Sequence, residues 1–394
     1  MHPTPRQVAI LGAGPIGLQA ALACLDAGWD CTVYESGERA GAAVRKWGHV
    51  RLFTPWERNV SDRMRARLAA APAGPHCPTG AELVSELLEP LAALPELTDR
   101  IHYRSRVVAV AREGLLKHEA IGTDARATAA FRLLVDTQGG ERVTRADLVL
   151  DCTGTYHNPN TLGDGGIPAP GERALDERIT RTLPDTTDTA RWAGTVLLVG
   201  AGKSAQTAAR DLAALPDTTL EWVVRDPDPD WGEIPADSLP ERQRLVDVAR
   251  GLTGGASDRV TVHTGTTVDS LAEHGRCIRV GLRTPDGRRE RLADHVVSLT
   301  GYTPDATLYR QLQVHECYAT AAPMNLAAAL LGAAGGDCLV QPSFGLDTLR
   351  NPEPHFFVLG MKSYGRTNTF LLRVGYTQVD QVIADYSHPP FVPA

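Results

Sequence analysis

The chain has 394 residues, enough for two or three domains, and its 43% hydrophobic and 22% charged residues are ordinary for a globular protein. Its net charge of −7 argues against nucleic acid or an anionic membrane as a partner, because both favour a concentrated basic surface. The seven cysteines follow no C-x-x-C or metal-ligand spacing, so we expect neither a bound metal nor a dithiol pair. An apolar strand begins at residue 8 and no apolar run could cross a membrane, so we expect a cytoplasmic protein.

Residues 7–35 carry the strongest signal in the sequence. Residues 8–11 are a short, continuous apolar run, which predicts a strand buried on both faces. The sequence GAGPIG follows at residues 12–17, then an Ala- and Leu-rich helical segment that Gly28 should stop, and then a second apolar strand ending at Glu35. This order predicts a βαβ unit that binds a dinucleotide. The alternative is a glycine-rich turn in some other α/β fold.

The residues of this turn have separate predicted roles. Gly12 makes the tight turn, Gly14 lets the backbone approach a pyrophosphate, and Gly17 lets the helix pack close to the strand. Pro15 and Ile16 begin the helix, whose N-terminus offers free N–H groups to the phosphates. The carboxylate ending the second strand stands 35 − 12 = 23 residues past the first glycine, near the distance at which an acid binds a ribose hydroxyl.

The next segment, residues 36–56, is rich in aromatic and basic residues and lacks helical periodicity. It is interpreted as a loop that runs beneath a cofactor ring, and the alternative is a surface loop anchored by its tryptophans. His49 in this loop titrates near neutrality and is a candidate proton relay. A histidine packed between Trp47 and Trp56 is an equally good interpretation.

A helix and three strands are predicted before the chain leaves this region. Thr79 and Glu82 fit a capping box for a helix over residues 80–94, which Pro90 should kink or end. The predicted strands cover residues 101–110, 131–135 and 146–151. The last of them runs into Cys152-Thr153-Gly154, and a loop rich in Pro, Gly, Asn and Asp follows.

The opening motif then recurs. Residues 195–199 predict a strand, GAGKSA a turn at residues 200–205, residues 206–215 a helix, and residues 220–225 a second strand. Because each match stands between a strand and a helix, two chance matches are improbable.

The two copies differ at the end of the second strand. The first ends on Glu35, which suits an unmodified ribose, and the second on Arg225, which suits the 2′-phosphate of NADPH. We therefore expect FAD in the first copy and NADPH in the second. Arg225 could instead be a surface arginine at a strand end, and the neighbouring Asp226 weakens the assignment.

The C-terminal third returns to the same pattern. Further strands are predicted at residues 260–268, 277–282 and 296–299. Near the end, an apolar strand reaches Gly360, a loop follows, and residues 370–384 form a helix whose N–H groups would face a cofactor.

These motifs together resemble the two-dinucleotide-binding-domain flavoproteins, which include flavin-containing monooxygenases and thioredoxin-reductase-like pyridine nucleotide-disulfide oxidoreductases. The matching pieces are GAGPIG, LDCTGTY, GAGKSA, SLTGYTPD and FFVLGMKSYGRTNTF, and the likeness covers essentially the whole chain. It implies an α/β fold of two Rossmann-like domains, with the NADPH domain inserted into the FAD domain. The implied boundaries are residues 1–165 and 301–394 for the FAD domain and residues 166–300 for the NADPH domain.

The resemblance also implies site residues. Lys362 would lie near the flavin, where its ammonium would stabilise the anionic reduced ring, and Tyr364 and His49 are the other catalytic candidates. The cofactor-binding candidates are Gly12, Gly14, Pro15, Ile16, Gly17, Glu35, Gly41, Trp47, Thr54, Val108, Thr153, Gly154, Gly200, Gly202, Lys203, Ser204, Ala205, Arg225, Gly301, Gly360, Lys362, Thr369, Phe370 and Leu371.

Two departures from the family patterns leave the reaction open. The redox-active cysteine pair of the disulfide reductases is missing, and so is the monooxygenase fingerprint before the second motif, where the sequence reads ALDERITRTLPD. We expect a monooxygenase that oxygenates a small-molecule N or S centre through a flavin hydroperoxide. The alternatives are an NADPH-dependent reductase of a low-molecular-weight disulfide or quinone, and a non-enzymatic flavin-binding sensor. A homodimer is possible.

Overall fold

The structure is a computed structural model that describes residues 7–234, 239–332, 344–367 and 369–387. The chain divides into two compact units. The first contains Met1–Asn158 and Thr303–Ala394, and the second contains Pro159–Tyr302. The boundaries therefore lie at residues 158–159 and 302–303, compared with 165–166 and 300–301 in the sequence-based assignment.

The strands are numbered in chain order. They are β1 Val8–Leu11, β2 Cys31–Tyr34, β3 Ile101–His102, β4 Ser105–Arg112, β5 Phe131–Thr137, β6 Gly140–Ala146, β7 Leu148–Asp151, β8 Ile179–Thr180, β9 Gly194–Val199, β10 Thr218–Val223, β11 Val260–His263, β12 Thr267–His274, β13 Cys277–Thr284, β14 Gly287–Ala293, β15 His295–Ser298 and β16 Phe356–Val358.

The α-helices are α1 Pro15–Asp26, α2 Ala42–Arg45, α3 Trp56–Asn59, α4 Asp62–Arg67, α5 Gly80–Glu82, α6 Glu89–Ala92, α7 Pro95–Thr98, α8 Asp124–Thr128, α9 Lys203–Ala213, α10 Pro240–Thr253, α11 Met324–Gly332 and α12 Leu372–Ser387. A π-helical segment, Leu83–Leu88, joins α5 to α6, and a 3₁₀ turn covers Gly360–Tyr364. In the described part of the chain, no helix combines the length and hydropathy that crossing a membrane requires.

The first unit is built on a parallel five-stranded sheet in the order β16-β7-β1-β2-β3. Its central strands β1 and β7 are buried along their whole length, as their continuous apolar sequences predict. Helix α1 packs against α12, and the antiparallel sheet β4-β5-β6 belongs to the same unit. The carboxyl ends of β16, β7 and β1 therefore lie side by side, where ligands bind in open α/β sheets.

The second unit repeats this plan. Its parallel sheet has the order β11-β10-β9-β15-β8, and a separate antiparallel sheet contains β12, β13 and β14. The α/β fold with two Rossmann-like domains, the second inserted into the first, is confirmed.

Three predicted elements are interrupted in the structure. The capping box of Thr79 and Glu82 is confirmed, but Pro90 does not end the helix. Pro90 has no N–H to donate to a carbonyl oxygen four residues back. The helix continues through Pro90 because the preceding residues, Leu83–Leu88, are π-helical, and the N–H of Glu89 donates to the carbonyl oxygen of Val84. The strands predicted at residues 101–110 and 260–268 are each broken by a turn, at Arg104 (φ 50°) and at Gly265 (φ 59°).

Candidate functional site

The turn after β1 has the geometry that its glycines predict. Gly12 has φ +98°, and a Cβ on it would lie 2.9 Å from the carbonyl oxygen of Cys152. A Cβ on Gly17 would lie 1.9 Å from the carbonyl oxygen of Gly12, so α1 begins directly against the turn. A Cβ on Gly14 would meet no protein atom within 4 Å. Gly12 and Gly17 are therefore required by packing, and Gly14 faces open space.

Glu35 is built into this turn. Its side chain is buried, and its carboxylate accepts hydrogen bonds from the backbone N–H of Ala13 at 2.7 Å and of Gly37 at 2.7 Å. The N–H of Gly41, which has φ +69°, donates to the carbonyl oxygen of Ala13 at 3.0 Å. The acid thus fixes the shape of the turn between β1 and α1.

The C-terminal segment meets the start of α1. Gly360 has φ +71°, its N–H donates to Gln378 Oε1 at 2.8 Å, and a Cβ on it would lie 2.9 Å from Ile16. Ile16 also fills the space beside Gly375 on α12. Leu359 N–H donates to the carbonyl oxygen of Asp151 at 2.9 Å. Residues 12–17, 152–154 and 359–364 are therefore three adjacent segments, which we call the cofactor cradle.

A buried ion pair stands in this cradle. The Lys362 ammonium donates to Asp151 Oδ2 at 2.7 Å and to Thr153 Oγ1 at 3.1 Å, and the two charged side chains are 1% and 0% exposed. Asp151 Oδ1 accepts from the N–H of Thr153 at 3.1 Å and from its hydroxyl at 2.7 Å. The ammonium lies 5.1 Å from the ring centroid of Tyr309. Lys362 is therefore a buried, paired cation.

Among the buried donor atoms of this unit without a hydrogen-bond partner in the described residues are two on aromatic side chains, the indole N–H of Trp47 and the hydroxyl of Tyr364. The Trp47 ring lies against Gly80, where a Cβ would come within 2.7 Å, and 5.9 Å from the ring of Tyr156. The Tyr364 ring packs edge-on against Phe370 at 5.3 Å. Burial raises the pKa of Tyr364 to about 12, so its hydroxyl is a donor throughout the neutral range.

The remaining candidates of the first unit lie apart from the ion pair. Thr54 is buried and bonds to Asn59, which returns a bond to the Thr54 carbonyl. His49 is exposed, so it is not packed between tryptophans. Val108 stands at a β-bulge, because the register of β4 with β5 shifts between Val107 and Ala109. Two candidates lie within the cradle segments: Pro15 starts α1, and Gly154 (φ +68°) faces open space. Two others, Thr369 and Leu371, precede α12.

The second glycine turn has the same division of roles. Gly200 has φ +132°, and a Cβ on it would lie 2.3 Å from the carbonyl oxygen of Leu299, whereas a Cβ on Gly202 would meet nothing within 4 Å. Lys203 is held inside the unit, donating to the carbonyl oxygen of Trp231 at 2.9 Å. In the same turn, Ser204 is exposed and Ala205 is buried.

Two further candidates belong to the second unit. Arg225 lies two residues beyond β10, is exposed, and has no ion-pair partner among the described residues. Gly301, assigned to the returning FAD domain, also belongs to this unit, where its carbonyl oxygen accepts from Asn160 N–H at 2.9 Å.

The sequence analysis did not single out Asp151, Tyr309 or His157. The sequence contained one pattern that could have identified Asp151: a carboxylate that directly follows apolar residues of a buried strand. A buried charge needs a partner, so this pattern predicts an ion pair. Tyr309 and His157 carry no local pattern. Burial, and then the charge of Lys362, lower the pKa of His157, which places that histidine in the electrostatic neighbourhood of the ion pair.

FAD fits the cofactor cradle. The open positions at Gly14 and Gly154 leave room for a ligand against the backbone, and the unpartnered N–H of Trp47 and O–H of Tyr364 are donors that the protein itself does not satisfy. The cradle segments would hold the cofactor, with Glu35 at a ribose. When bound, FAD supplies the two-electron chemistry.

The chain matches solved structures over nearly its whole length. Bacillithiol disulfide reductase from Bacillus cereus is 18% identical with a TM-score of 0.71, covering 97% of this chain and 98% of the other. Ornithine hydroxylase from Pseudomonas aeruginosa is 16% identical, with a TM-score of 0.63 and coverage of 97% and 98%. Ornithine N-hydroxylase from Kutzneria sp. 744 is 16% identical, with a TM-score of 0.61 and coverage of 98% and 99%. At such identities the likeness establishes the fold.

None of the curated proteins compared with the chain matches it. The family model for the pyridine nucleotide-disulphide oxidoreductases matches residues 9–325. The cofactors of this family are FAD and a pyridine nucleotide, and they agree with the two glycine turns described above. The chain therefore belongs to the pyridine nucleotide-disulphide oxidoreductase family and is a flavoprotein oxidoreductase.

Proposed function

We propose that this protein is an NADPH-consuming monooxygenase that oxygenates a nitrogen or sulfur centre of a small molecule. The balanced reaction is NADPH + H⁺ + O₂ + substrate → NADP⁺ + H₂O + oxygenated substrate. NADPH gives a hydride, one oxygen atom enters the substrate, and the other leaves as water. The protein must bind both cofactors, exclude water from the reacting centre, and hold the protons that leave with that water.

The observation that carries this proposal is the aromatic surrounding of the candidate site. Trp47 stands against Tyr156, and Tyr364 against Phe370. Tyr364 is buried, and Trp47 and Phe370 are half-buried against the same hydrophobic core, whereas Tyr156 is 43% exposed. We infer that the buried side of these rings would shield a bound flavin from water, which would strengthen electrostatic interactions there. The donors Trp47 N–H and Tyr364 O–H are unpartnered, so they remain available to cofactor or substrate.

The structural neighbours support a nitrogen centre as the substrate class. The Kutzneria structure is described as an ornithine N-hydroxylase with reduced FAD, NADP⁺ and L-ornithine, and the Pseudomonas neighbour is also an ornithine hydroxylase. L-Ornithine is therefore a suitable first amine to test with this protein.

A reductase of a low-molecular-weight disulfide is the second candidate, and the likeness to the bacillithiol disulfide reductase favours it. Its reaction is NADPH + H⁺ + RSSR → NADP⁺ + 2 RSH. The described cysteines offer no accessible dithiol: Cys24, Cys31, Cys152 and Cys317 are buried, although the thiols of Cys24 and Cys31 hydrogen-bond to each other. The half-buried Cys77 and Cys277 belong to different units. Cys338 lies outside the described residues. The disulfide would then take electrons directly from the flavin.

An oxygen-dependence experiment separates the two candidates. The holoenzyme is mixed with NADPH and either L-ornithine, a dialkyl sulfide, cystine or a benzoquinone, with and without ¹⁸O₂. The monooxygenase proposal expects turnover only with oxygen, and one labelled atom in the amine or sulfide product. Stoichiometric NADPH oxidation by cystine or the quinone without oxygen, faster than the aerobic reaction, would refute it and support the reductase.

A further inference from the structure

The ion pair between Asp151 and Lys362 joins two parts of the cofactor cradle that are far apart in sequence. Asp151 is the last residue of β7 and is fully buried, and its two carboxylate oxygens serve different partners. One oxygen accepts from the ammonium of Lys362, and the other accepts twice from Thr153. Thr153 precedes Gly154, whose Cβ position is open. Asp151 therefore holds both the lysine and the turn that borders the open space.

The charge of Lys362 influences titratable groups in two neighbouring segments. After burial, Lys362 is the largest influence lowering the pKa of His157, and it also lowers the pKa of Asp305. In a site shielded from water, an uncompensated unit charge interacts strongly with any other charge nearby. A charge paired with its opposite has a much weaker effect at a distance. The ammonium of Lys362 is paired in this way, because Asp151 Oδ2 lies 2.7 Å from it.

We propose that Asp151 is a positioning residue that cancels the charge of Lys362 at the cofactor cradle, so that the pair presents bound FAD with no net charge. This proposal rests on FAD occupying the cradle and is independent of which molecule accepts the electrons. It differs from the expectation that the ammonium of Lys362 stabilises the anionic reduced ring.

The proposal predicts the sign of the change in each variant. Asp151→Asn keeps the shape and a hydrogen-bond acceptor but leaves the lysine uncompensated, so the site gains positive charge and the midpoint potential of bound FAD rises. Lys362→Met leaves the carboxylate uncompensated, so the potential falls. The double variant removes both charges and should return close to the wild-type potential.

The experiment is an anaerobic, dye-coupled titration of the FAD potential in holoenzyme carrying each of these three changes. We expect at least a tenfold change in the oxidised-to-reduced ratio in each single variant, in opposite directions, which for a two-electron couple is about 30 mV. The double variant should lie within threefold of wild type. The FAD content of each purified variant is measured first, because only a variant that retains FAD can be titrated.

Glu353→Gln is the matched control. Glu353 is a buried carboxylate of the same unit that pairs with Arg112 and Arg126, and neither arginine belongs to the cradle. This variant should lower the thermal stability and leave the FAD potential unchanged. Equal shifts in the same direction in both single variants, or no shift in either, would overturn the proposal. If Asp151→Asn does not retain FAD, the proposal is tested with Lys362→Met alone. An FAD midpoint potential in that variant equal to the wild-type value would then overturn the proposal.

Discussion

The two glycine turns of this protein have the same backbone plan, and the strands that follow them end near residues of opposite charge. In each, the first glycine is packed against a neighbouring carbonyl oxygen, that of Cys152 for Gly12 and that of Leu299 for Gly200. In each, the second glycine faces open space. The strand that follows ends near Glu35 in the first unit and near Arg225 in the second.

The two charged residues are held in opposite ways. Glu35 is buried and accepts two backbone N–H groups, so it is already in place before any ligand binds. Arg225 is exposed and its guanidinium has no partner among the described residues. We propose that the first turn is preformed for its nucleotide, and that the exposed side chain of Arg225 sets the nucleotide selectivity of the second.

Gly14→Val should have the largest effect. A valine there clashes with nothing in the protein but fills the space that a pyrophosphate needs, and the φ of −81° suits any residue. We expect a folded, colourless protein whose affinity for FAD is more than about a hundredfold weaker, or about 3 kcal/mol. Absorbance of the purified protein and circular dichroism measure the two properties.

Gly17→Val is the control for that variant. Its Cβ would lie 1.9 Å from the carbonyl oxygen of Gly12, so it should unfold the protein rather than only empty the site. If Gly14→Val remained yellow, the pyrophosphate would have to lie elsewhere.

Arg225→Ala should have the next largest effect, on the choice between NADPH and NADH. A charge-assisted bond to the 2′-phosphate is worth about 1.5–3 kcal/mol, so NADPH should bind roughly ten- to a hundredfold more weakly, with NADH unchanged. The neighbouring Asp226 accepts from the N–H of Asp228 in its own turn, which holds its carboxylate there.

Arg210→Ala is the matched control, since Arg210 is an exposed arginine on α9 that pairs with Asp211. Steady-state KM values for both nucleotides measure the two variants. An unchanged NADPH-to-NADH ratio in Arg225→Ala, together with a changed ratio in Arg210→Ala, would assign the phosphate to the other arginine.

Tyr364→Phe should have the smallest effect. The hydroxyl has no partner among the described residues, so its loss should leave the melting temperature of the FAD-free protein unchanged or slightly higher. If the hydroxyl donates to FAD, the affinity should fall roughly two- to tenfold, or about 0.5–1.5 kcal/mol. Fluorescence titration with FAD measures this. A destabilised FAD-free protein with unchanged FAD affinity would contradict it.

The sequence predicted the parts of the fold that depend on local pattern. Strands buried on both faces read as continuous apolar runs, and the first glycine of each turn, Gly12 or Gly200, occupies a position that no other residue can fill. The π-helical passage before Pro90 was not predicted, because a proline can be accommodated within a helix when the neighbouring turns rearrange.

Contacts between distant segments could not be predicted in the same way. The sequence singled out Lys362, but its partner Asp151 lies 211 positions away, and only the adjacency of β7 and β16 brings the two together. A sequence pattern also gives a residue's position in a motif but not its surroundings in the fold. The pattern did not show that Arg225 is exposed, nor that Gly301 belongs to the second unit.

The central claim is that the first turn holds FAD and the second holds the nicotinamide nucleotide. Anaerobic addition of one equivalent of NADPH to wild type and Gly202→Val, followed by visible absorbance, tests it most directly. A Cβ at Gly202 meets no protein atom, so the variant should stay folded and yellow. We predict that NADPH bleaches the wild-type flavin and leaves the variant yellow until dithionite is added. Bleaching of Gly202→Val by NADPH at the wild-type rate would contradict the division of the two cofactors.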